Sequence, residues 1–197
     1  MKIGLTGSIA CGKSTVSSYL RTLGYPVVDA DAISRAMTAE GGAALPAIRA
    51  AFGDTVFQAD GTLDRRMLGS VVFSNAESRA KLNAILHPMI LEEIRNQLHK
   101  YSTDGHSVFG DIPLLYECGM ESDFDQVWVV SVSRETQIKR LLERDGLTRA
   151  GAESRIDAQM PLSEKEKMAD AIICTEGMIE ETQEKVRSLL NAIEERR

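Results

Sequence analysis

Two hydrophobic rhythms alternate along this chain, one of strands and one of helices. Lys2-Ile3-Gly4-Leu5-Thr6 is a short apolar run and predicts a buried strand. Val16, Tyr19, Leu20 and Leu23 then recur at spacings of three and four, one face of a helix, with Gly24 where a C-terminal cap is expected. Tyr25-Pro26-Val27-Val28-Asp29 predicts a second strand, with Pro26 confined to its start or to an edge. From about residue 33 to about residue 100 the pattern is mostly helical, punctuated by turns at Gly41-Gly42 and Gly53-Asp54. Leu82, Ile85 and Leu86 share one helical face there, and Ile90, Ile94 and Leu98 another. His87-Pro88 between them predicts a break, because the residue before a proline is pushed toward extended geometry. Val108–Asp111 predicts a third strand. Gln126–Val132 is the strongest strand, a near-continuous apolar run suited to a parallel strand covered on both faces. Ile138, Leu141 and Leu142 mark a helix, Ala171–Cys174 a fifth strand. Ile179, Val186, Leu189, Leu190 and Ile193 form a closing amphipathic helix.

This order predicts an α/β fold: a five-stranded parallel sheet with helices on both faces. Ligands of such folds bind beyond the carboxyl ends of the strands. The rule selects the loop after strand one, Asp29 and Asp31 after strand two, Asp111 after strand three and the arginines after strand four. The loop after strand one reads Gly7-Ser8-Ile9-Ala10-Cys11-Gly12-Lys13-Ser14, a match to G-x-x-x-x-G-K-[ST] in the strand–loop–helix setting that the motif requires. Its glycines let successive backbone N–H groups point inward at phosphate oxygens. Lys13 adds a charge that reaches the β- and γ-phosphates, and the Ser14 hydroxyl is placed for Mg²⁺. The helix that follows directs its N-terminal dipole at the same phosphates.

Bulk properties narrow the reading. A chain of 197 residues with 43% hydrophobic content suits one α/β domain with a small insertion. No run approaches 18 uninterrupted apolar residues, so no membrane span is predicted. The first hydrophobic segment belongs to the phosphate loop, so no signal peptide is expected. Cys11, Cys118 and Cys174 form neither a disulfide framework nor a zinc pattern, which points to a reducing cytoplasm. A formal charge of −6 argues against general binding to nucleic acid or anionic membranes. A phosphate site needs only a local positive field, for which Lys13, Arg65, Arg66, Arg140, Arg144, Arg149 and Arg155 are candidates.

Further motifs, taken with the phosphate loop, resemble the dephospho-coenzyme A kinase family over nearly the whole chain. Asp29-Ala30-Asp31 is similar to that family's Asp-Ala-Asp signature. Leu63-Asp64-Arg65-Arg66 through Val72-Phe73, then Leu82 to His87-Pro88, resembles its inserted helical segment. Asp111-Ile112-Pro113-Leu114-Leu115-Tyr116-Glu117 resembles its Pro-Leu-Leu-aromatic-Glu motif. Arg144-Asp145-Gly146-Leu147-Thr148 and Arg155-Ile156-Asp157-Ala158-Gln159 resemble its lid. The resemblance implies a single P-loop kinase domain over residues 1–197, with a helical acceptor-binding region at about 33–100 and a lid at about 139–160. It implies ATP with Mg²⁺, and transfer of the γ-phosphoryl to the ribose 3′-hydroxyl of dephospho-coenzyme A. No obligate protein partner is evident.

The same resemblance assigns roles. Ala10, Cys11, Gly12, Lys13, Ser14 and Thr15 hold the phosphates, with Ser14 on the metal. Asp31 is the general base, although an Asp after a strand also commonly caps a helix, here one expected near Ala32. Asp29 serves either the site or the end of its strand, and Asp111 either the metal's water shell or a turn. Arg140 and Arg144, four apart, share one helix face. They are either a solvated face paired with Glu143 or Glu135, or a lid neutralising phosphate charge with Arg155, hinged at Gly146 and Gly151. Arg144 and Arg155 are the expected ligand contacts. Arg65, His87, Pro113, Leu114, Tyr116 and Glu117 are expected around the acceptor. The chain departs from the family's pattern at Ala10 and Cys11, where glycine and serine are usual, and at Thr175, where asparagine is usual near the adenine. Cys11 at a helix N-terminus is expected to have a lowered thiol pKa and sensitivity to oxidation. Another small-molecule or nucleotide kinase, or a nucleotide-controlled switch, would share the loop, but Asn-Lys-x-Asp is absent. A dehydrogenase is disfavoured, because no G-x-G-x-x-G follows a strand.

Overall fold

A computed structural model describes residues 1–103 and 107–195. The strands are β1 (Lys2–Gly7), β2 (Val27–Asp29), β3 (Val108–Asp111), β4 (Gln126–Ser131) and β5 (Ala171–Cys174). They form one parallel sheet in the order β2-β3-β1-β4-β5, with Leu5 in register with Asp111 on one side and Trp128 on the other. The order changes direction about β1, so the carboxyl end of β1 lies at a topological switch point. The helices are α1 (Lys13–Thr22), α2 (Ala30–Met37), α3 (Leu45–Phe52), α4 (Arg65–Ser74), α5 (Ala76–Ser102), α6 (Arg134–Asp145), α7 (Arg149–Asp157), α8 (Leu162–Met168) and α9 (Ile179–Glu194). Among the described residues, no helix is long and apolar enough to cross a membrane.

The chain divides into two compact units, each with its own core. The first comprises Met1–Val28 and the described residues from Leu98 onward. Ile3, Leu5, Phe109, Trp128, Val130 and Ile173 of the sheet pack with Val16 and Leu20 of α1 and Val186 and Leu190 of α9. Phe109 meets Trp128 edge to face, with ring centroids 5.4 Å apart. The indole N–H of Trp128 donates to Gln126 Oε1 at 3.1 Å, so this buried side chain carries no unmet donor.

The second unit is Asp29–Gln97. Ala44, Ile48, Val56, Leu63, Leu68 and Val72 form its core, joined by Leu82, Ile85, Leu86 and Met89 of α5. Two of its helices, α2 and α4, start at aspartate caps. The Asp29 carboxylate accepts from Ala32 N at 2.9 Å, and that of Asp64 from Arg66 N and Met67 N.

The break expected at His87-Pro88 does not occur: α5 runs through Pro88 without interruption. The proline leaves the Ala84 carbonyl without a helical partner. Ala84, His87 and Pro88 are all exposed, so water can serve that carbonyl. Leu82, Ile85, Leu86 and Met89 on the opposite face keep one continuous apolar stripe on the core. Packing thus outweighs the local preference. Pro88→Ala restores a donor to a solvent-facing turn. It should stabilise the protein by about 1–3 kcal/mol, read as a higher urea midpoint at unchanged slope. A midpoint at or below that of the wild type would contradict this account of the helix.

Candidate functional site: a phosphate loop held from outside

β1 ends at Gly7, where the backbone turns too tightly for a side chain. A Cβ on Gly7 would lie 2.5 Å from Cys11 Sγ and 2.7 Å from the Val130 carbonyl. The loop then passes twice through left-handed geometry, at Ala10 (φ 60°) and Gly12 (φ 87°). Glycine adopts this conformation freely, whereas in alanine it costs about 1–2 kcal/mol. Ala10 is therefore a place where the surroundings must impose the shape.

They do so through the carbonyls. Gln137 Nε2 donates to Ile9 O at 2.7 Å, Arg140 Nη1 to Ala10 O at 3.1 Å and Thr175 Oγ1 to Cys11 O at 2.6 Å. Three successive carbonyls are thus fastened on the outside of the loop. Across a planar trans peptide, the N–H of the next residue points the opposite way. Fastening Ile9 O and Cys11 O outward turns the Ala10 and Gly12 N–H groups toward the hollow. Gly12 also stands at the N-cap of α1 and offers no side-chain acceptor to the first turn, while Thr15 N donates back to Gly12 O at 3.0 Å. Gln159 Oε1 closes the near end, accepting from Ile9 N at 2.8 Å and Ser8 Oγ at 3.1 Å. Ile138 and Leu141 of α6 and Ala152 and Ile156 of α7 form an apolar cluster against Ile9 and Ala10, which seats those two helices on the loop.

Lys13 and Asp111 form a direct ion pair, with the carboxylate almost buried at the end of β3. Beside them lies a cleft of about 520 Å³, lined by Gly12, Ser14, Thr15, Arg140, Arg144 and Thr175. Ser14 is exposed at this cleft. A hydroxyl and a carboxylate are hard oxygen donors of the kind Mg²⁺ takes alongside phosphate and water, so these residues fit the ion. Thr175 has its hydroxyl committed as donor to Cys11 O and as acceptor from Arg140 Nη1 at 3.2 Å. It shapes the loop and has no further proton to offer a base.

Several expected positions come out differently in detail. Cys11 is 1% exposed, and burial pushes its thiol pKa up despite Lys13 and Lys165 nearby. The expected lowering does not occur, because loss of water outweighs the helix terminus. Arg144 lines the cleft, but its Nε donates to Asp145 Oδ1 at 2.7 Å, while Arg155 Nη1 reaches Asp145 Oδ2 at 3.0 Å. The hydrogen bond from Arg144, then its charge and that of Arg155, hold the Asp145 carboxyl below the usual range. Of the two glycines, Gly146 (φ 63°) caps the end of α6, while Gly151 lies inside α7 with its N–H bonded to Thr148 Oγ1.

Along the segment after β3, Pro113 O accepts from Thr6 Oγ1 at 3.0 Å, and Glu117 Oε1 accepts from Met160 N at 3.1 Å. Leu114 is 42% exposed, whereas Tyr116 is 9% exposed, and no partner for its hydroxyl is found among the described residues. In the second unit, Asp29 takes the cap of α2. Asp31 is left exposed in the first turn, with no hydrogen bond or ion pair on its carboxylate among the described residues. Arg65 Nη2 donates to Thr38 O at 3.1 Å, and His87 is exposed. Three residues at the loop, Gln137, Gln159 and Lys165, escaped the sequence reading of roles. Gln137 had a signal, since it falls on the apolar face of α6 beside Ile138 and Leu141. Lys165 sits in a charge run, Ser163-Glu164-Lys165-Glu166-Lys167, that reads as solvated surface.

A family model described as dephospho-CoA kinase matches residues 1–181. The chain is 47% identical to a dephospho-CoA kinase of Shouchella clausii over 191 residues, covering 96% of this chain and 97% of that protein. It is 46% identical to one of Carboxydothermus hydrogenoformans, covering 95% and 92%. A solved dephospho-CoA kinase from Campylobacter jejuni superposes with a TM-score of 0.76 at 31% identity, covering 98% of both chains. Shikimate kinase from Aquifex aeolicus, at a TM-score of 0.51 and 19% identity, shares the fold.

Burial, followed by the charges of Asp170 and Glu121, pushes the Tyr116 phenol up to about 12. The folded protein therefore holds this proton over a range, from the ordinary value of about 10 upward, in which an unfolded chain releases it. The resulting stability is present below about pH 10 and is lost as pH rises toward about 12. Tyr116→Phe should flatten this alkaline loss. It should also stabilise the protein near neutrality by about 1 kcal/mol, because an unmet hydroxyl leaves the interior. Urea melts across pH 7–11 would contradict this if wild type and variant ran parallel.

Proposed function

The chain belongs to the dephospho-CoA kinase family, and from that premise we propose how its residues carry the reaction. The enzyme is a phosphotransferase of the last step of coenzyme A biosynthesis. The γ-phosphoryl of ATP passes to the ribose 3′-hydroxyl of dephospho-coenzyme A. The bond from γ-phosphorus to the bridging oxygen of ADP breaks, a bond to the ribose oxygen forms, and the hydroxyl proton goes to a base. The protein's work in such a transfer is positioning and charge stabilisation.

The observation that carries the assignment of roles is the loop whose carbonyls are fastened outward. The loop Ala10–Thr15 receives the phosphates, on N–H groups such as those of Ala10 and Gly12 and on the α1 terminus. Lys13, held by Asp111 in this structure, turns its ammonium to the β- and γ-oxygens when phosphate competes for it. Ser14 would hold Mg²⁺ directly and Asp111 through its water shell, and the ion would supply neutralisation of phosphate charge. Arg144 and Arg155 neutralise charge that develops during transfer, exchanging Asp145 for phosphate as residues 139–160 close over the cleft. Closure keeps water from the γ-phosphate.

Asp31 is the general base. Its competing role, capping α2, is filled by Asp29, so the Asp31 carboxylate remains available to orient and deprotonate a hydroxyl. Arg65 and His87, and separately the segment Pro113–Glu117, are the residues assigned to acceptor binding. Within that segment Leu114 offers the exposed apolar surface that a pantetheine arm needs, while Pro113, Tyr116 and Glu117 shape the segment from beneath. The three free cysteines suit a reducing cytoplasm.

Incubation with ATP, Mg²⁺ and dephospho-coenzyme A should yield coenzyme A, detected by mass. Omission of the acceptor should leave ATP hydrolysis slow. Asp31→Asn should lower kcat by roughly 10²–10⁴-fold with substrate affinity nearly kept, and Lys13→Met should lose ATP retention. A wild-type rate in the Asn variant would remove Asp31 from its role.

A further inference from the structure

Lys165 in α8 has no solvent exposure. Its ammonium carries three N–H donors, and three acceptors surround it. They are Gly7 O at 3.2 Å, Pro113 O at 3.0 Å and Glu117 Oε1 at 2.8 Å. Gly7 O is the last carbonyl of β1, at the entry to the phosphate loop. Pro113 and Glu117 lie on the segment after β3. Glu117 Oε1 also accepts from Met160 N, on the stretch that joins α7 to α8. One buried charge therefore ties together the loop entry, the segment after β3 and the chain leaving α7.

Stability alone is a weak reason for this arrangement. Burying an ammonium costs several kcal/mol, and a well-packed apolar side chain of similar volume is often as stable or more so. What an apolar residue cannot do is fix two backbone carbonyls and a carboxylate at set distances from one point. A transfer between two bound molecules depends on such fixing, because misplacement by about 1 Å can cost roughly 10²-fold in rate. Gly7 itself is packed so closely that a Cβ there would meet Cys11 Sγ and the Val130 carbonyl.

We propose that Lys165 is a positioning residue, whose ammonium holds the phosphate-loop entry and the acceptor-side segment Pro113–Glu117 in register for phosphoryl transfer. The proposal rests on the phosphotransferase reading above and goes beyond it by giving Glu117 a role through Lys165. Lys165→Met fills the space and removes the three donors. Lys165→Arg keeps a charged donor, and Glu117→Gln keeps an acceptor without its charge.

The measurements are kcat and KM for each substrate, Mg²⁺–ATP binding by equilibrium titration, thermal stability, and amide hydrogen exchange at Met160. Lys165→Met should lower kcat by about 10²-fold per folded molecule, with ATP binding nearly kept. Lys165→Arg should recover part of that loss. Glu117→Gln should lower kcat less than Lys165→Met does, and both Lys165→Met and Glu117→Gln should speed exchange at Met160. A Lys165→Met enzyme that melts earlier yet turns over at the wild-type kcat would overturn the proposal, and so would wild-type kcat and Met160 exchange in Glu117→Gln. Should Lys165→Met fail to fold, Lys165→Arg and Glu117→Gln decide by the same readouts. Wild-type protein that makes no coenzyme A would sink the activity reading, and Met160 exchange would then judge the clamp by itself.

Discussion

A phosphate-binding loop works only if its carbonyls face away from the phosphate, and in this protein that orientation is enforced from outside. A free loop of this sequence has no reason to keep Ala10 in left-handed geometry. Gln137 and Arg140 from α6, Thr175 from the end of β5 and Lys165 from α8 each hold one carbonyl of the turn. Each of these donors is anchored in turn. α6 is seated by its apolar contacts with the loop, β5 pairs with β4, and Arg140 is braced on the Thr175 carbonyl at 2.7 Å. Sheet order, helix packing and anion binding are therefore one constraint seen at three scales. The switch point about β1 supplies the opening, and the flanking elements supply the fasteners.

Two lysines close to the loop show how geometry separates a movable charge from a fixed one. Lys13 stands at the first position of α1 and meets one carboxylate, Asp111. An incoming phosphate can draw the ammonium away, and the almost buried Asp111 carboxylate then needs another partner in its place. Lys165 has three partners and no access to solvent, so leaving any of them would strand a desolvated group. The same side-chain chemistry thus gives a ligand-responsive contact in one place and a permanent joint in the other. Asp145 belongs to the first kind. It collects Arg144 and Arg155 while staying partly exposed, a pairing that a more highly charged anion can outcompete.

Much of this was legible in the sequence. The five strands stand where period and composition place them, because buried parallel strands must be apolar on both faces. The loop and Lys13 followed from a motif whose spacing encodes backbone geometry. What escaped was of two kinds. The continuous α5 was hidden because proline's local preference is explicit in sequence, whereas a solvent-facing carbonyl and a packed opposite face are not. The fasteners were hidden because a side chain that bonds to a distant carbonyl leaves no periodic trace. Lys165 lies 158 residues from Gly7 in a run that reads as solvated surface. Gln137 was readable in principle, since a glutamine on an apolar face must find a partner once buried.

The Asp-Ala-Asp pair shows how a cap can define a functional group. One residue beyond β2 the chain must open α2, whose first N–H groups need an acceptor. Asp29 meets that need by accepting from Ala32 N, with the extended backbone typical of an N-cap. Asp31, two residues later, is already helical. From there its carboxylate cannot reach back to the same N–H, and it stands exposed in the first turn. A single aspartate in this stretch would have had to choose between starting the helix and meeting a substrate. Two aspartates at this spacing divide the tasks, one fixing the backbone and the other left with an uncommitted carboxylate. Spacing by two is what makes the division work, because it places one acid outside the helix and the other on its first turn.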